Sequence, residues 1–330
     1  MRRHRSSKIA GLGRYVPRRV VTNAELERLV DTTDEWITVR TGIKERRVAA
    51  PEEATSDMAV EAAQEALEQA GVDPAELDLV LVGTASPDMI FPATACLVQE
   101  RLGAKRAGAA DVSAACSSFV YGLALAHAQV VAGLAERVLV VGADTLSRIT
   151  NWKDRSTCVL FGDSAGAAVV VPSDGQRGIL SFWLGADGGG GPLLTLPAGG
   201  SRLPASYETV ERGQHYIHMN GREVFKFASR IIPRAIEEVC ERAGVSVAEV
   251  DLFVPHQANV RIIQSAAERL GQPMEKFYVN VQRYGNTSSA SVPVALYEAV
   301  AEGRVRDGDL VALVAFGGGL TWASCLLRWG

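Results

Sequence analysis

The sequence predicts an α/β protein made of two related halves, each a sheet with helices packed on it. Two observations carry this. Buried-strand patterns alternate with amphipathic helical patterns along most of the chain. In addition, AGVDPAELDL (70–79) returns as AGVSVAEVDL (243–252), 173 residues on and identical at seven of ten positions. The same offset carries VLVV (138–141) onto VALV (311–314) and helix 61–67 onto 234–240. A repeat this long is a duplicated sheet-and-helix unit. We place the halves at 1–175 and 176–330.

Composition narrows the function classes. The chain has 330 residues, 47% of them hydrophobic, and a net charge of −4. It is globular and long enough for more than one core. Its mild acidity argues against a sequence-independent nucleic-acid binder. Five scattered cysteines (96, 116, 158, 240, 325) include no CxxC pair. A disulfide framework or structural metal is not expected, and a reducing cytoplasm fits. The start, MRRHRSSKIAGLG, is basic but lacks the apolar stretch of a signal peptide, and no run approaches a membrane span.

In chain order, KIAGLG (8–13) reads as a strand ending in a turn. Gly11 and Gly13 make half of a dinucleotide fingerprint, but no third glycine and no helix follow. Residues 31–49 are dense in charge around Trp36, with Arg40, Lys44, Arg46 and Arg47 nearby. A solvated face is the ordinary reading of such a run; an indole beside guanidinium groups could also hold an adenine and its phosphates. TSDMAVEAAQEALEQAG (55–71) is a helix capped by Thr55 or Ser56 and stopped by Gly71. DLVLVGT (78–84) is a buried strand; helix 93–102, strand 107–113, helix 117–133 and strand 137–143 follow. This alternation predicts βαβ units on a parallel sheet. Residues 185–206, rich in glycine, read as a mobile connection without chemistry of its own.

Cys116 falls where strand 107–113 gives way to a helix. A helix N-terminus offers unpaired N–H groups and a positive dipole end, both favouring a thiolate. A free cysteine more often simply packs, so the rest of the chain has to decide. Of the histidines, His4 lies in the basic tail, His127 inside a helix, and His215 and His218 in a strand-like segment that points them to opposite faces. His256 differs: it follows the strand VDLFVP and precedes a helix. Asn286 lies in YGNTSSASVP before another helix, and AFGGGLTW (315–322) brings three glycines that allow close backbone approach. The repeat sets Ser113 opposite Asn286 and Cys116 opposite Ser289, so the two switch regions should face each other. A Cys, a His and an Asn at helix-start turns, with a glycine loop for an oxyanion, form a candidate acyl-transfer site. The same trio occurs in papain-like proteases, but the CGSCW-type context is absent here.

Seven segments make the resemblance specific: DEWITVRTGIKERR, DVSAACSSF, DRSTCVLFGD, NGREVFKFA, VPHQANVRII, YGNTSSASVP and AFGGGLTW. Together, in this order, they resemble the β-ketoacyl-acyl-carrier-protein synthase III family. The resemblance implies a duplicated thiolase-like α/β fold in an αβαβα layering. It also implies a homodimer that condenses a short acyl-CoA with malonyl-acyl-carrier-protein to start fatty acid synthesis, without a cofactor. Carried over, Cys116, His256 and Asn286 are the catalytic residues, and the N–H groups of Cys116 and Gly318 form the oxyanion hole. Trp36, Arg40 and Arg155 would meet the nucleotide end of CoA, and Phe225, Ala258 and Asn259 its pantetheine arm. Lys226 and Arg261 would dock the carrier protein, with Glu268-Arg269 replacing a basic pair of some relatives. Phe91 would reach the partner's acyl pocket. Ser118 and Ser164 stand where relatives usually have glycine. A polyketide ketosynthase is the same-fold rival, and a non-catalytic acyl-CoA binder the rival of another class. A degradative thiolase would need a second catalytic cysteine in the AFGGGLTW loop, where there is none.

Overall fold

The computed structural model describes residues 6–175 and 177–330; His4 lies outside them. Strand β1 (Ser6–Tyr15) opens the chain. A small hairpin of Arg19–Thr22 and Glu45–Val48 follows, with helix α1 (Asp34–Thr41) between its arms. Then come α2 (Thr55–Ala70), β2 (Leu79–Gly83), α3 (Thr94–Leu102), β3 (Gly108–Val112), α4 (Ser118–Ala132), β4 (Val138–Asp144) and β5 (Ser164–Ser173). The second half supplies β6 (Gly178–Ala186), α5 (Gly221–Ala243), β7 (Leu252–Pro255), α6 (Val260–Leu270), α7 (Ser291–Ala301), β8 (Leu310–Gly317) and β9 (Thr321–Arg328).

Among the described residues the two larger sheets have strand orders β1-β5-β4-β2-β3 and β6-β9-β8-β7. They share one plan. β2 pairs parallel with β4 as β7 does with β8, while β5 and β9 are each antiparallel to both neighbours. The duplication read from sequence is therefore present in strand order and direction. The expectation of a parallel sheet is corrected to a mixed one, because a buried run such as SAGAAVVV carries no sign of its direction.

The layers follow from side-chain alternation. Val138 and Val140 of β4 face the centre, while Leu139 and Val141 face outward under α2 and α3. In β8, Val311 and Leu313 face the centre, and Ala312 and Val314 face α5 and α6. The central core is closed by Phe119, Val120 and Leu123 of α4 with Val292, Ala295 and Leu296 of α7. This is the five-layer αβαβα arrangement. One 18-residue stretch, 115–132, is apolar enough to cross a membrane, contrary to the expectation that no run would be. Its hydrophobicity belongs to the central layer, where α4 meets a sheet on each side.

Local outcomes correct several other readings. The backbone of α2 is capped by Asp57 from inside the helix, whose Oδ2 accepts the Ala54 N–H at 2.6 Å. Thr55 and Ser56 instead donate to the Ser86 carbonyl and to Asp88. Gly71 does end the helix, in the left-handed region at φ 64°. The Gly11 and Gly13 pair is explained by packing: a Cβ there would come within 2.3 Å and 2.1 Å of the Ala66 and Ala62 carbonyl oxygens of α2. Strand β3 is not buried but forms a partly exposed sheet edge. Around His215 and His218 only His218–Met219 is extended, pairing with Leu194–Thr195.

Candidate active site

Cys116 sits in a 3-10 turn, Ala115–Ser117, that leads directly into α4. Ala115 has φ 47°, and Ser288 at the repeat-related turn has φ 50°. Two non-glycine residues held in the left-handed region 173 positions apart mark a conserved turn geometry within the duplication. Both turns are pinned. The Ser118 hydroxyl accepts the Ala114 N–H at 2.8 Å and donates to the Ala115 carbonyl at 2.7 Å. The Ser118 side chain thus staples the turn that carries Cys116. Thr321 at the start of β9 reaches the same turn, bonding the Ala114 carbonyl and the Ser117 hydroxyl at 2.8 Å each. Gly317 at the end of β8 packs against the turn so closely that a Cβ would lie 2.6 Å from the Cys116 nitrogen. Among the described residues, neither the Cys116 nor the Gly318 N–H has a backbone acceptor.

The thiol is not a resting thiolate, as the helix-start position suggested. Burial pushes its pKa up to about 12, the Ser288 hydroxyl opposes this, and the nearby Asp144 carboxylate adds to it. A helix N-terminus, worth at most about 2 kcal/mol, offsets only part of that.

His256 follows β7 directly, and its N–H bonds the Val314 carbonyl at 2.7 Å. Its ring is 1% exposed, meets the Phe316 ring edge-on at 5.2 Å, and is held neutral by burial, with a pKa lowered to about 3. Asn286 is fixed through its backbone to Leu160 and Gly162. Its Oδ1 accepts the Ser288 N–H at 2.9 Å, which leaves the side-chain NH₂ free to donate. No hydrogen bond joins the Cys116 sulfur to His256 among the described residues.

Two cavities meet at Cys116. The larger, about 620 Å³, brings Cys116, His256 and Asn286 to one wall and runs outward past Phe225, Ala258 and Asn259. Arg40, Lys226 and Arg261 also line it, as does Arg222, which the sequence reading missed. Beyond its mouth, the guanidinium groups of Arg40 and Arg155 each lie 4.8 Å from the centre of the Trp36 ring. Arg155 is further tied to the Asp31 carbonyl at 2.8 Å. The smaller cavity, about 190 Å³, is lined mostly by apolar groups: Leu146, Ile149, Phe161, Leu194, Leu196 and Ile217, with Gly318 at its edge. The connection 185–206, read from the sequence as a mobile connection without chemistry of its own, contributes walls to the site. Phe91 is not in either cavity; it is 83% exposed, beside Ile90 at 78%. Among the described residues no group of His, Cys, Asp or Glu could hold a metal ion.

A buried thiol at a helix start, a neutral histidine and an asparagine amide lining the same cavity, and a thiolase-like duplicated fold define a condensing acyltransferase. The comparisons agree. Residues 110–188 match the family model for 3-oxoacyl-[acyl-carrier-protein] synthase III, and 240–329 match its C-terminal model. A β-ketoacyl-[acyl-carrier-protein] synthase III of Symbiobacterium thermophilum is 61% identical over 98% of both chains. The synthase III structure from Thermus thermophilus superposes with a TM-score of 0.91 at 52% identity, covering 98% of this chain and 99% of that one. The priming β-ketosynthase of the R1128 polyketide pathway reaches the same TM-score at 40% identity, covering 100% of this chain and 98% of that one. The chain belongs to the β-ketoacyl-acyl-carrier-protein synthase III family, acyltransferases that perform the condensation initiating fatty acid synthesis.

Proposed function

We propose that the chain takes a short acyl group from acyl-CoA onto Cys116 and condenses it with malonyl-acyl-carrier-protein, as a cytoplasmic homodimer. One observation carries the reading: a larger cavity with several polar and charged residues in its lining and a smaller, mostly apolar one both reach Cys116. The first has the mixed lining suited to a pantetheine arm, the second the lining suited to an acyl chain. Trp36, Arg40 and Arg155 at the rim suit a nucleotide, and Lys226 and Arg261 an acidic carrier protein. The exposed Ile90 and Phe91 suit burial against a second copy. All five cysteines are free, in keeping with a reducing compartment.

The chemistry balances without a cofactor. The Cys116 sulfur attacks the acyl thioester carbonyl, and the N–H groups of Cys116 and Gly318 hold the oxyanion. The C–S bond to CoA then breaks, and the Cys116 proton passes to the departing CoA sulfur. Malonyl-carrier-protein next loses CO₂, its C–C bonding pair moving into an enolate whose oxygen meets His256 Nε2–H and the Asn286 amide. The enolate carbon attacks the acyl carbon, the tetrahedral adduct collapses with cleavage of the C–S bond, and the departing Cys116 thiolate takes a proton from solvent.

The test is intact mass after incubation with acetyl-CoA and with a branched short acyl-CoA. One acyl mass should appear on the wild type and none on Cys116→Ala, while variants of Cys96, Cys158, Cys240 and Cys325 still acylate. Acylation of Cys116→Ala would overturn the assignment.

A further inference from the structure

A neutral histidine can donate into the cavity only if its single ring proton is on the correct nitrogen. His256 Nδ1 lies 2.5 Å from the hydroxyl of Ser291, the first residue of α7. The same hydroxyl oxygen accepts the Gln257 N–H at 3.3 Å. That N–H is held firmly in place, because the Gln257 side chain makes four bonds. It donates to the Pro255 and Tyr278 carbonyls and accepts from the Asn280 and Val281 amides. A hydroxyl has one proton to give, and with an N–H already directed at the Ser291 oxygen, Nδ1 is the acceptor left for it. No other acceptor for that proton lies within reach among the described residues.

We propose that Ser291 is a positioning residue: its hydroxyl donates to His256 Nδ1, so that the imidazole carries its proton on Nε2 and presents a donor to the malonyl enolate. This rests on the reading of His256 as an enolate donor. The repeat sharpens it. Ser291 lies 173 residues after Ser118, and the two hydroxyls are used differently. Ser118 turns both its capacities onto its own helix-start turn. Ser291 makes no such bond and reaches instead to His256 and Gln257. The arrangement also excludes His256 from taking the Cys116 proton, since its only free lone pair faces Ser291. Acylation and decarboxylation should therefore respond differently to its loss.

The experiment joins a spectrum to two half-reactions. The full-length enzyme, labelled with ¹⁵N-histidine, is examined at neutral pH, with His256→Ala used to assign the resonance. A protonated Nε2 and an unprotonated Nδ1 are expected; the reverse assignment overturns the proposal. In Ser291→Ala the signals should move to a tautomer mixture. Losing one such donor outright costs about 10²–10³ in rate, and a mixture keeps part of it. CO₂ release from malonyl-carrier-protein should thus fall roughly tenfold or more, while acyl-Cys116 formation stays within about twofold. Ser291→Thr, which keeps the hydroxyl, should recover most of the rate. Full CO₂ release by folded Ser291→Ala overturns the proposal. If that variant does not fold, the wild-type spectrum still decides. Wild-type CO₂ release undiminished in His256→Ala would overturn the reading of His256 instead, a separate result from the tautomer.

Discussion

Replacing Gly317 with alanine tests the oxyanion hole through a contact with little freedom to relax. The added Cβ would lie 2.6 Å from the Cys116 nitrogen, 3.0 Å from the Ala115 Cβ and 3.2 Å from the Ala114 carbonyl oxygen. Two of these are backbone atoms, which have no rotamer to change. Ordinary contact begins at 3.4 Å, so the 2.6 Å approach must open by about 0.8 Å. The turn that has to yield is held by Ser118 from within and by Thr321 from β9. A misplacement near 1 Å costs about 10² in rate, and outright loss of an oxyanion donor about 10²–10³. Gly317→Ala should therefore slow acylation of Cys116 about a hundredfold. Acyl-CoA affinity should change little, because Arg40, Phe225 and Asn259 lie on other elements. Single-turnover acylation followed by intact mass gives the rate, direct binding to the nucleophile-free Cys116→Ala background gives the affinity, and thermal melting checks the fold. Acylation within threefold of wild type, with the fold unchanged, would refute the argument that this N–H serves the reaction.

The remaining predictions concern stability. His256 is neutral when folded, with a pKa lowered to about 3, whereas the unfolded chain binds a proton near pH 6.5. Stability is therefore complete above pH 6.5 and lost as pH falls toward 3, at about 1.4 kcal/mol per pH unit. Between pH 6.5 and 5 the wild type should lose about 2 kcal/mol more than His256→Asn in urea denaturation; equal losses would mean that the ring is not buried neutral. Among the described residues the Ser164 hydroxyl is buried with no hydrogen-bond partner, so Ser164→Ala should raise stability by about 1 kcal/mol, and a lowered denaturation midpoint would reveal a partner.

The parts of this molecule that were legible in its sequence are those written in spacing. Strand β4 and its repeat β8 announce themselves as buried runs at a fixed offset. Cys116, His256 and Asn286 could be singled out because each stands just before a helical pattern, in two cases directly after a strand. What was not legible depends on packing. The direction of β5 is invisible, since an apolar run fits either orientation. The walls supplied by Leu194, Leu196 and Ile217 come from a stretch with little periodicity, positioned by a two-residue pairing with His218–Met219. Burial of the Cys116 thiol reverses what the helix terminus alone would suggest. In NTSSASVP the serines are indistinguishable as letters, yet Ser288 orients Asn286, Ser289 bonds Asp144 and Ser291 reaches His256.

The duplication also bears on what the Cys116 turn is built to hold. Asp144 ends β4, and 173 residues later Gly317 ends β8. In the first case the strand-end side chain reaches the repeat-related turn: Asp144 Oδ2 accepts the Ser289 N–H at 3.0 Å and the Ser289 hydroxyl at 2.6 Å. Its other oxygen is fixed by Thr84, Ala85 and Ser86. In the second case the strand end has no side chain, and the Cys116 N–H, which corresponds to that of Ser289, has no carboxylate and no backbone acceptor among the described residues. Both turns carry a left-handed residue at the equivalent position, Ala115 and Ser288, so the same donor geometry exists twice. One copy is filled by the protein's own carboxylate oxygen. The other is emptied by glycine at the point where two cavities meet, and a negative oxygen developing on an acyl group at Cys116 would find there the donor that Asp144 finds in its twin.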